Sequence, residues 1–579
     1  MRELLRDAWR IARPYWFSDE RWAGRGLLAL VIALTLGLVY INVLLNRWNN
    51  TFYNALQDKN YAVFIQQVVR FCWFAVAYIV VAVYQLYLNQ MLLIRWRRWL
   101  TERYLEAWLT DRAYYLMQLV GGEADNPDQR IADDVRLFVD GTLTLAIGGL
   151  RAGVTLISFV VILWSLSGAL PLSLGGIVLT VPGYLVWAAL VYAAVGTWLT
   201  DRVGRPLVRL NFNQQRYEAD FRFSLVRFRE NTEGVALYRG EADELRGFRE
   251  RLGAVVANWW SIMRQQKRLT WFTAGYAQAA AVIPFLVIAP RYFRGELPLG
   301  GLMQTATAFG QVQDALSFIV SSYTDIAEWR AVVERLASFE RALGRMQVRA
   351  ATKAEISRAQ GDDARLIVER LDIDRPNGQP LLDGVKLVLV RGDTVLMWGP
   401  SGAGKSTLLR AIAGIWPYGS GAIRLPGDAR ILFLPQKPYL PLGTLRRIVS
   451  FPTPEGGVAD AVLREALTTV ELPELAERLD EAGNWALSLS PGEQQRIAFA
   501  RALVQRPDWL FLDEATAAVD EATERHLYRM LRARLPGATV FSVGHRETLR
   551  SFHGRQLVVR RNGREAASVG EITGAPATP

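Results

Sequence analysis

Six stretches of the chain carry the run of about 20 mostly apolar residues that a helix needs to cross a bilayer. They are residues 26–45, 71–93, 143–166, 172–200, 270–292 and 299–322. Pro284 interrupts the fifth, and polar groups punctuate the sixth. Charge alternates between the intervening loops. Residues 95–138 hold seven Arg and residues 201–268 hold fourteen Arg and Lys, whereas 46–69, 165–172 and 291–298 hold two, none and two. Cytoplasmic loops carry an excess of Lys and Arg, so the alternation predicts six spans with both chain ends on the cytoplasmic side. The two basic loops are too long for turns and keep periodic apolar positions, which predicts that the membrane helices continue into the cytoplasm. Ahead of the first span, residues 1–25 mix six Arg with Trp, Tyr and Phe. That mixture predicts a helix lying in the membrane interface.

The pattern changes after residue 344. Residues 345–362 are polar and Ala-rich and read as a linker. From 363 to 579, strand-like runs (RLIVERLDI, KLVLV, TVLMWG, ARILFL, WLFLDE, TVFSV) alternate with helical periodicity. This rhythm predicts an α/β domain with a largely parallel sheet. The expected architecture is an α-helical membrane domain over 26–344 joined to an α/β nucleotide-binding domain over 363–579.

Composition sharpens this picture in three places. The chain is 51% hydrophobic yet carries 67 basic and 56 acidic residues, so apolar and charged segments are segregated. The net charge of +11 is compatible with nucleic acid or anionic lipid, but its placement beside the spans argues for the bilayer and against nucleic acid. Cys72 is the only cysteine, which excludes an intramolecular disulfide. The N-terminus lacks the layout of a cleaved signal peptide.

The sequence Gly399-Pro400-Ser401-Gly402-Ala403-Gly404-Lys405-Ser406-Thr407 follows an apolar strand and opens a helix. Glycines there let main-chain N–H groups wrap phosphates, Lys405 reaches the β- and γ-phosphates, and Ser406 is placed to ligate Mg²⁺. Downstream, the strand WLFL ends in Asp513-Glu514. The first carboxylate can hold the Mg²⁺ shell and the second can polarise the attacking water. Alone, such a pair is as often a helix cap; with the phosphate loop it becomes a catalytic candidate.

Between them lies Leu489-Ser490-Pro491-Gly492-Glu493-Gln494-Gln495-Arg496. Here the domain resembles an ABC ATPase, whose signature is usually written LSGGQ. The resemblance extends to Gln436 in FLPQKPYLP, Asp520 in AAVD and His545 in FSVGHR. It implies that Gln436 senses Mg²⁺ and water, and that His545 contacts the γ-phosphate. It also implies that Ser490 and Gly492, with Asp520 nearby, complete the ATP site of a second copy, hence a homodimer hydrolysing ATP with Mg²⁺ and Glu514 as base. Pro491 and Glu493 depart from the usual signature. Local chemistry accommodates both: Ser490 can cap the helix, Pro491 suits its first position, and Glu493 completes a capping box. Where relatives commonly place an aromatic against adenine, this chain has Arg375, which either stacks on the base or is a solvated strand-end residue.

Three membrane-domain segments carry a narrower resemblance: NRWNNTFYNALQ at 46–57, NPDQRI at 126–131 and ENTEGVALYRGE at 230–241. Together they resemble the SbmA/BacA-related bacterial ABC transporters, which in turn resemble peroxisomal fatty-acyl-CoA transporters. The resemblance implies an exporter-type fold in the bacterial inner membrane and uptake of bulky hydrophilic solutes such as antimicrobial peptides, bleomycin-like compounds or cobalamin. Export of drugs or amphiphiles, acyl-CoA transport, and a membrane-anchored regulatory ATPase are the alternatives. On the sixth span, Gln304, Thr307, Gln311, Asp314, Ser317 and Ser321 recur at three- and four-residue steps. With Gln85, Asn89 and Arg151, they either line a polar pathway or join helices to one another. Glu230, Glu233 and Glu241 are either proton-coupling groups or, as the cytoplasmic charge count of their segment favours, part of a coupling helix that contacts the cassette.

Overall fold

The structure is a computed structural model that describes residues 2–120, 126–174, 177–351, 356–361, 364–561 and 566–571. The chain forms two compact units, Met1–Glu106 with Asp125–Arg341, and Ala107–Ala124 with Ala342–Pro579.

The first unit is a bundle of long helices. Among the described residues, four are long and apolar enough to cross a membrane: Arg21–Gln57, Tyr61–Leu119, Pro127–Ser167 and Glu241–Phe293. Helices Tyr184–Glu230 and Leu299–Ser321 occupy the regions of the other two predicted spans. At about 1.5 Å per residue, the 49-residue helix Tyr61–Leu109 is more than twice as long as a hydrocarbon core is thick. Pro284 is accommodated inside helix Glu241–Phe293.

One predicted span needs correcting. Residues 172–200 do not begin as helix; Ala169–Leu174 and Ile177–Pro182 form an antiparallel pair, with Ala169 opposite Pro182 and Leu174 opposite Ile177. Helix starts only at Tyr184. The cause is local chemistry: Ile177, Val178, Thr180 and Val181 are β-branched. Gly168 and Gly183, at φ +62° and +64°, turn the chain into and out of the pair. The preceding helix is finished from outside, by Arg291, which donates to Leu166 O at 3.1 Å and Ser167 O at 2.7 Å.

Helix Arg2–Trp16 buries Leu4, Ala8, Ile11, Ala12 and Tyr15 and leaves Leu5 and Trp9 exposed. Tyr15 stacks on Trp96 with ring centroids 5.6 Å apart, so the helix is docked along one face and shows Arg2, Arg6, Arg10 and Arg13 beside Leu5 and Trp9 on the other. Deeper in the bundle, Phe159, Leu163, Leu185, Ile288, Phe309 and Val312 form one buried cluster. Helices in a bilayer gain little from burying apolar surface against each other, so close contact and hydrogen bonding hold such a cluster. At the end of the bundle, buried Asp134 accepts from Arg130 at 2.9 Å and from both nitrogens of the Arg335 fork at 2.9 and 2.6 Å.

The second unit is built on a ten-stranded sheet. Its parallel half runs in the order Arg555–Arg561, Thr394–Trp398, Thr539–Val543, Trp509–Asp513, Ile431–Leu434. These strands are covered on both faces, which is why they read as continuous apolar runs rather than as alternation. Phe511 pairs in register with Phe433 and Phe541, and the rings of Phe433 and Phe511 stack at 4.7 Å. The other half sets Leu366–Asp374 antiparallel to Pro380–Leu389 and to Gly419–Pro426. The stretch 345–362, read from composition as a linker, is helical to Ala351 and forms a strand at Ile356–Gly361, parallel to Gly419–Pro426.

Candidate nucleotide site and polar helix seam

Strand Thr394–Trp398 delivers the chain to the phosphate loop, and helix Lys405–Ile412 leaves it. Three glycines make the turn possible: Gly399, Gly402 and Gly404 have φ of +150°, +73° and +97°. Gly399 also passes so close to the neighbouring strand that a Cβ would lie 2.7 Å from Val559 O. Pro400, Ser401 and Gly402 are exposed, whereas Ala403 and Gly404 are buried. Lys405 is 5% exposed and folds back over the loop, donating from Nζ to Gly399 O at 2.8 Å and Pro400 O at 2.9 Å. Burial pulls its ammonium pKa down, and Glu514 and Asp513 oppose that only in part. Ser406 donates from Oγ to Asp513 Oδ1 at 2.8 Å, bringing the loop and the strand-end carboxylate together; Thr407 follows within the first helical turn. Burial raises the Asp513 pKa, and the Ser406 bond resists the shift.

Glu514 follows with φ +47°, an uncommon conformation for a residue bearing a Cβ, pinned by its N–H donating to Val543 O at 3.0 Å. Its carboxylate is held at both oxygens: Gln436 Nε2 donates to Oε2 at 3.0 Å, and His545 Nε2 lies 3.2 Å from Oε1. The structure thus brings Lys405, Ser406, Asp513, Glu514, Gln436 and His545 into one connected set. Beside it opens a cleft of about 370 Å³ lined by Ser406, Arg410, Gln436 and Asp513. The donor set of Ser406, Asp513 and Gln436 is all oxygen, which suits a hard cation such as Mg²⁺.

The signature segment stands on its own helix. Ser490 caps helix Pro491–Gln505, accepting from Glu493 N at 3.3 Å, while Glu493 accepts from Ser490 N at 2.8 Å. The serine hydroxyl also donates to Glu493 Oε2 at 2.7 Å, and these bonds lower the Glu493 pKa. Asp520 caps helix Glu521–Arg534 through Ala522 N and Thr523 N. Ser490, Gly492 and Asp520 are not part of the connected set around Glu514. Arg375 sits half-buried in a tight turn closed by its N–H to Gln379 O at 2.8 Å.

Two contributors were not read from sequence. Gln495 lies within the signature segment, but nothing in its spacing reveals that it bridges two loops. Arg112 lies in Ala107–Ala124, the early segment that joins the second unit. It donates to Ala413 O at 3.2 Å and Gly414 O at 3.0 Å, just past the C-terminus of helix Lys405–Ile412. Its neighbour Leu119 packs on the same apolar core.

The polar stripe of the sixth predicted span divides in two. Gln304 is buried and lies in a seam with helix Arg21–Gln57. Its Oε1 accepts from Asn50 at 2.7 Å, its Nε2 donates to Asn46 Oδ1 at 3.2 Å, and Asn46 donates back to Gln304 O at 2.9 Å. Asn49 reaches Thr307 at 3.3 Å, Asn54 Oδ1 accepts from Gly300 N at 2.8 Å, and Gln57 Oε1 accepts from Leu299 N at 2.6 Å. Gly300 is obligatory there, since a Cβ would lie 1.9 Å from Asn50 O. The expectation that Gln304 faces a pathway is therefore corrected: its amide joins two helices. Asp314 and Arg151 are exposed; Gln311, Gln85, Asn89 and Ser317 are half-buried, and Ser321 turns its hydroxyl to Phe318 O. Glu230, Glu233 and Glu241 are exposed around the short helix Thr232–Tyr238.

A glycine-rich loop opening a helix N-terminus, with a carboxylate brought alongside from the end of the next strand but one, defines a P-loop nucleotide hydrolase. This hydrolase shares its chain with helices of membrane length. The chain belongs to the ABC transporter family. Residues 11–293 match ABC transporter transmembrane region 2, and residues 382–517 match the ABC transporter ATP-binding family. It is 33% identical to the inner membrane ABC transporter ATP-binding protein YddA of Escherichia coli, over 94% of this chain and 96% of that one. It is 29% identical to the human lysosomal cobalamin transporter ABCD4, over 82% of this chain and 81% of the relative. A bacterial Atm1-family ABC exporter with ATP bound shares the fold, with a TM-score of 0.70 at 18% identity over 92% of this chain and 93% of that one. The cassette is accordingly an ATPase coupled to transport.

Proposed function

We propose that two copies of this chain form an ATP-driven importer of bulky hydrophilic solutes in a bacterial inner membrane, with both termini cytoplasmic. The observation that carries the solute class is the exposure of two charges, Asp314 and Arg151, within helices of predicted spans. A charge facing lipid is costly, so such groups face water-filled space. Two comparisons support the reading: the named cargo of the cobalamin relative is bulky and polar, and a near relative is an inner membrane protein. The segments 46–57, 126–131 and 230–241 support the SbmA/BacA-related subtype.

In the cassette, Lys405 and the loop N–H groups bind and orient the phosphates. Ser406 and Gln436, with Asp513 behind them, would hold Mg²⁺, which would supply charge neutralisation to the phosphates. Glu514, kept in place by Gln436 and His545, accepts the proton of the attacking water, and His545 faces the γ-phosphate. Ser490, Gly492 and Asp520 lie apart from this set, which supports their acting on the nucleotide of a second copy. Leu237 and Tyr238, 76% and 90% exposed on helix Thr232–Tyr238, offer an apolar tip for that copy's cassette.

Inside-out vesicles preloaded with labelled cobalamin or bleomycin test direction and cargo together. ATP on the cassette side should release the label. ATP-dependent loading of empty vesicles would sink the import reading.

A further inference from the structure

We propose that Gln495 is a positioning residue for ATP hydrolysis, one whose carboxamide holds the Gln436 loop in register with the loop between Glu514 and Asp520. Gln495 is 2% exposed. Its Nε2 donates to Gln436 O at 3.0 Å, and its Oε1 accepts from Ala518 N at 2.9 Å. Both ends of one buried amide are therefore committed to main-chain groups of two other loops. Gln436 uses its own amide on Glu514 Oε2 at 3.0 Å. Glu514, Gln436, Gln495 and Ala518 thus close a ring, because Ala518 lies on the chain leading away from Glu514. The signature helix is fitted to the same place: a Cβ on Gly492 would lie 3.2 Å from Ala518 O.

Chemistry restricts what can stand at this position. The site asks for one donor and one acceptor at the end of a two-carbon stem, which only glutamine offers. Glutamate keeps the acceptor for Ala518 but sets a carboxylate against the Gln436 carbonyl. Methionine keeps the volume and loses both bonds. Either change frees Gln436 to drift from Glu514 while Lys405 and the phosphate loop stay as they are. The loss should therefore fall on turnover rather than on nucleotide binding.

This inference rests on the roles given above to Gln436 and Glu514. The test is steady-state ATPase activity of the full chain in nanodiscs, over a range of Mg-ATP concentrations. Gln495→Glu should lower kcat about tenfold while KM for ATP stays within about twofold, and Gln495→Met should behave alike. Combined with Gln436→Ala, Gln495→Glu should cost little beyond Gln436→Ala alone, because both act at one point. Wild-type kcat in Gln495→Glu, or losses that multiply in the double variant, would overturn the inference. Failure of the underlying assignment shows separately, as wild-type turnover in Gln436→Ala or Glu514→Gln.

Discussion

Asn50 donates its side-chain amide to Gln304 at 2.7 Å, joining two helices whose sequences lie 254 residues apart. Together with Asn46, Asn49, Asn54 and Gln57 it makes the seam the main polar contact between helix Arg21–Gln57 and helix Leu299–Ser321. Removing one side chain leaves amides unpaired where water is scarce. Gln304→Leu should lower stability by about 1–2 kcal/mol, read as an earlier thermal unfolding of the detergent-purified chain, with ATPase turnover of the surviving fraction intact.

The glycine beside that seam gives a sharper contrast. Gly300→Ala places a methyl on the Asn50 carbonyl and should strongly reduce folded yield, whereas Gly301→Ala meets nothing closer than 3.4 Å and should be tolerated. Size-exclusion profiles of the two variants, expressed side by side, report the difference. Equal yields would contradict the closeness of the two helices.

Glu514 is held between Gln436 and His545, one at each carboxylate oxygen. Glu514→Gln keeps the shape and removes the base, so turnover should fall about 100-fold or more while binding of a fluorescent ATP analogue persists. Retained turnover would remove Glu514 from its assigned role.

The capping box predicts a modest, local effect. Ser490→Ala should cost about 1 kcal/mol of cassette stability, and Ser490→Asn much less, since asparagine also caps and its amide can still donate to Glu493. Chemical denaturation followed by tryptophan fluorescence separates the two.

His553 is buried between Leu549 O and Ser542 Oγ, and burial lowers its pKa from 6.5 to about 4. The unfolded chain takes up a proton as pH falls through 6.5, and the folded chain declines it until about 4. Stability is therefore full above 6.5 and is lost across that window, at up to about 1.4 kcal/mol per pH unit. The capping carboxylates Glu493 and Asp520, whose pKa values are lowered, give up their contribution only at more acid pH. A melting temperature that falls between pH 6.5 and 5, and less steeply in His553→Gln, is the expected result.

Much of this architecture was legible in the sequence, and the reasons are physical. Parallel strands buried on both faces leave continuous apolar runs, so TVLMW, WLFL and TVFSV announced themselves. The phosphate loop and capping box were equally readable, because each is a local device whose residues lie within a few positions of one another. What hid was the long-range pairing. A polar stripe on a membrane helix has the same spacing whether it faces water or Asn46 and Asn50, so Gln304 could not be placed from periodicity. Residues 172–174 and 177–182 look like the start of a span because hydropathy counts apolar residues and ignores their branching. Gln495 hid for a third reason, since a bridge to Gln436 O and Ala518 N depends on main-chain atoms that no side-chain pattern reveals.

Helix Lys405–Ile412 spans only about 12 Å at 1.5 Å per residue, yet its two ends answer to different parts of the chain. Its positive end faces the phosphate loop, and the carbonyls just beyond its negative end accept from Arg112, in the segment Ala107–Ala124 of the same unit. A tilt of this short rod when phosphates arrive therefore cannot leave the Arg112 contact untouched. Eight residues of one helix separate the phosphate loop from the Arg112 contact, a rigid strut with a reporter at either tip.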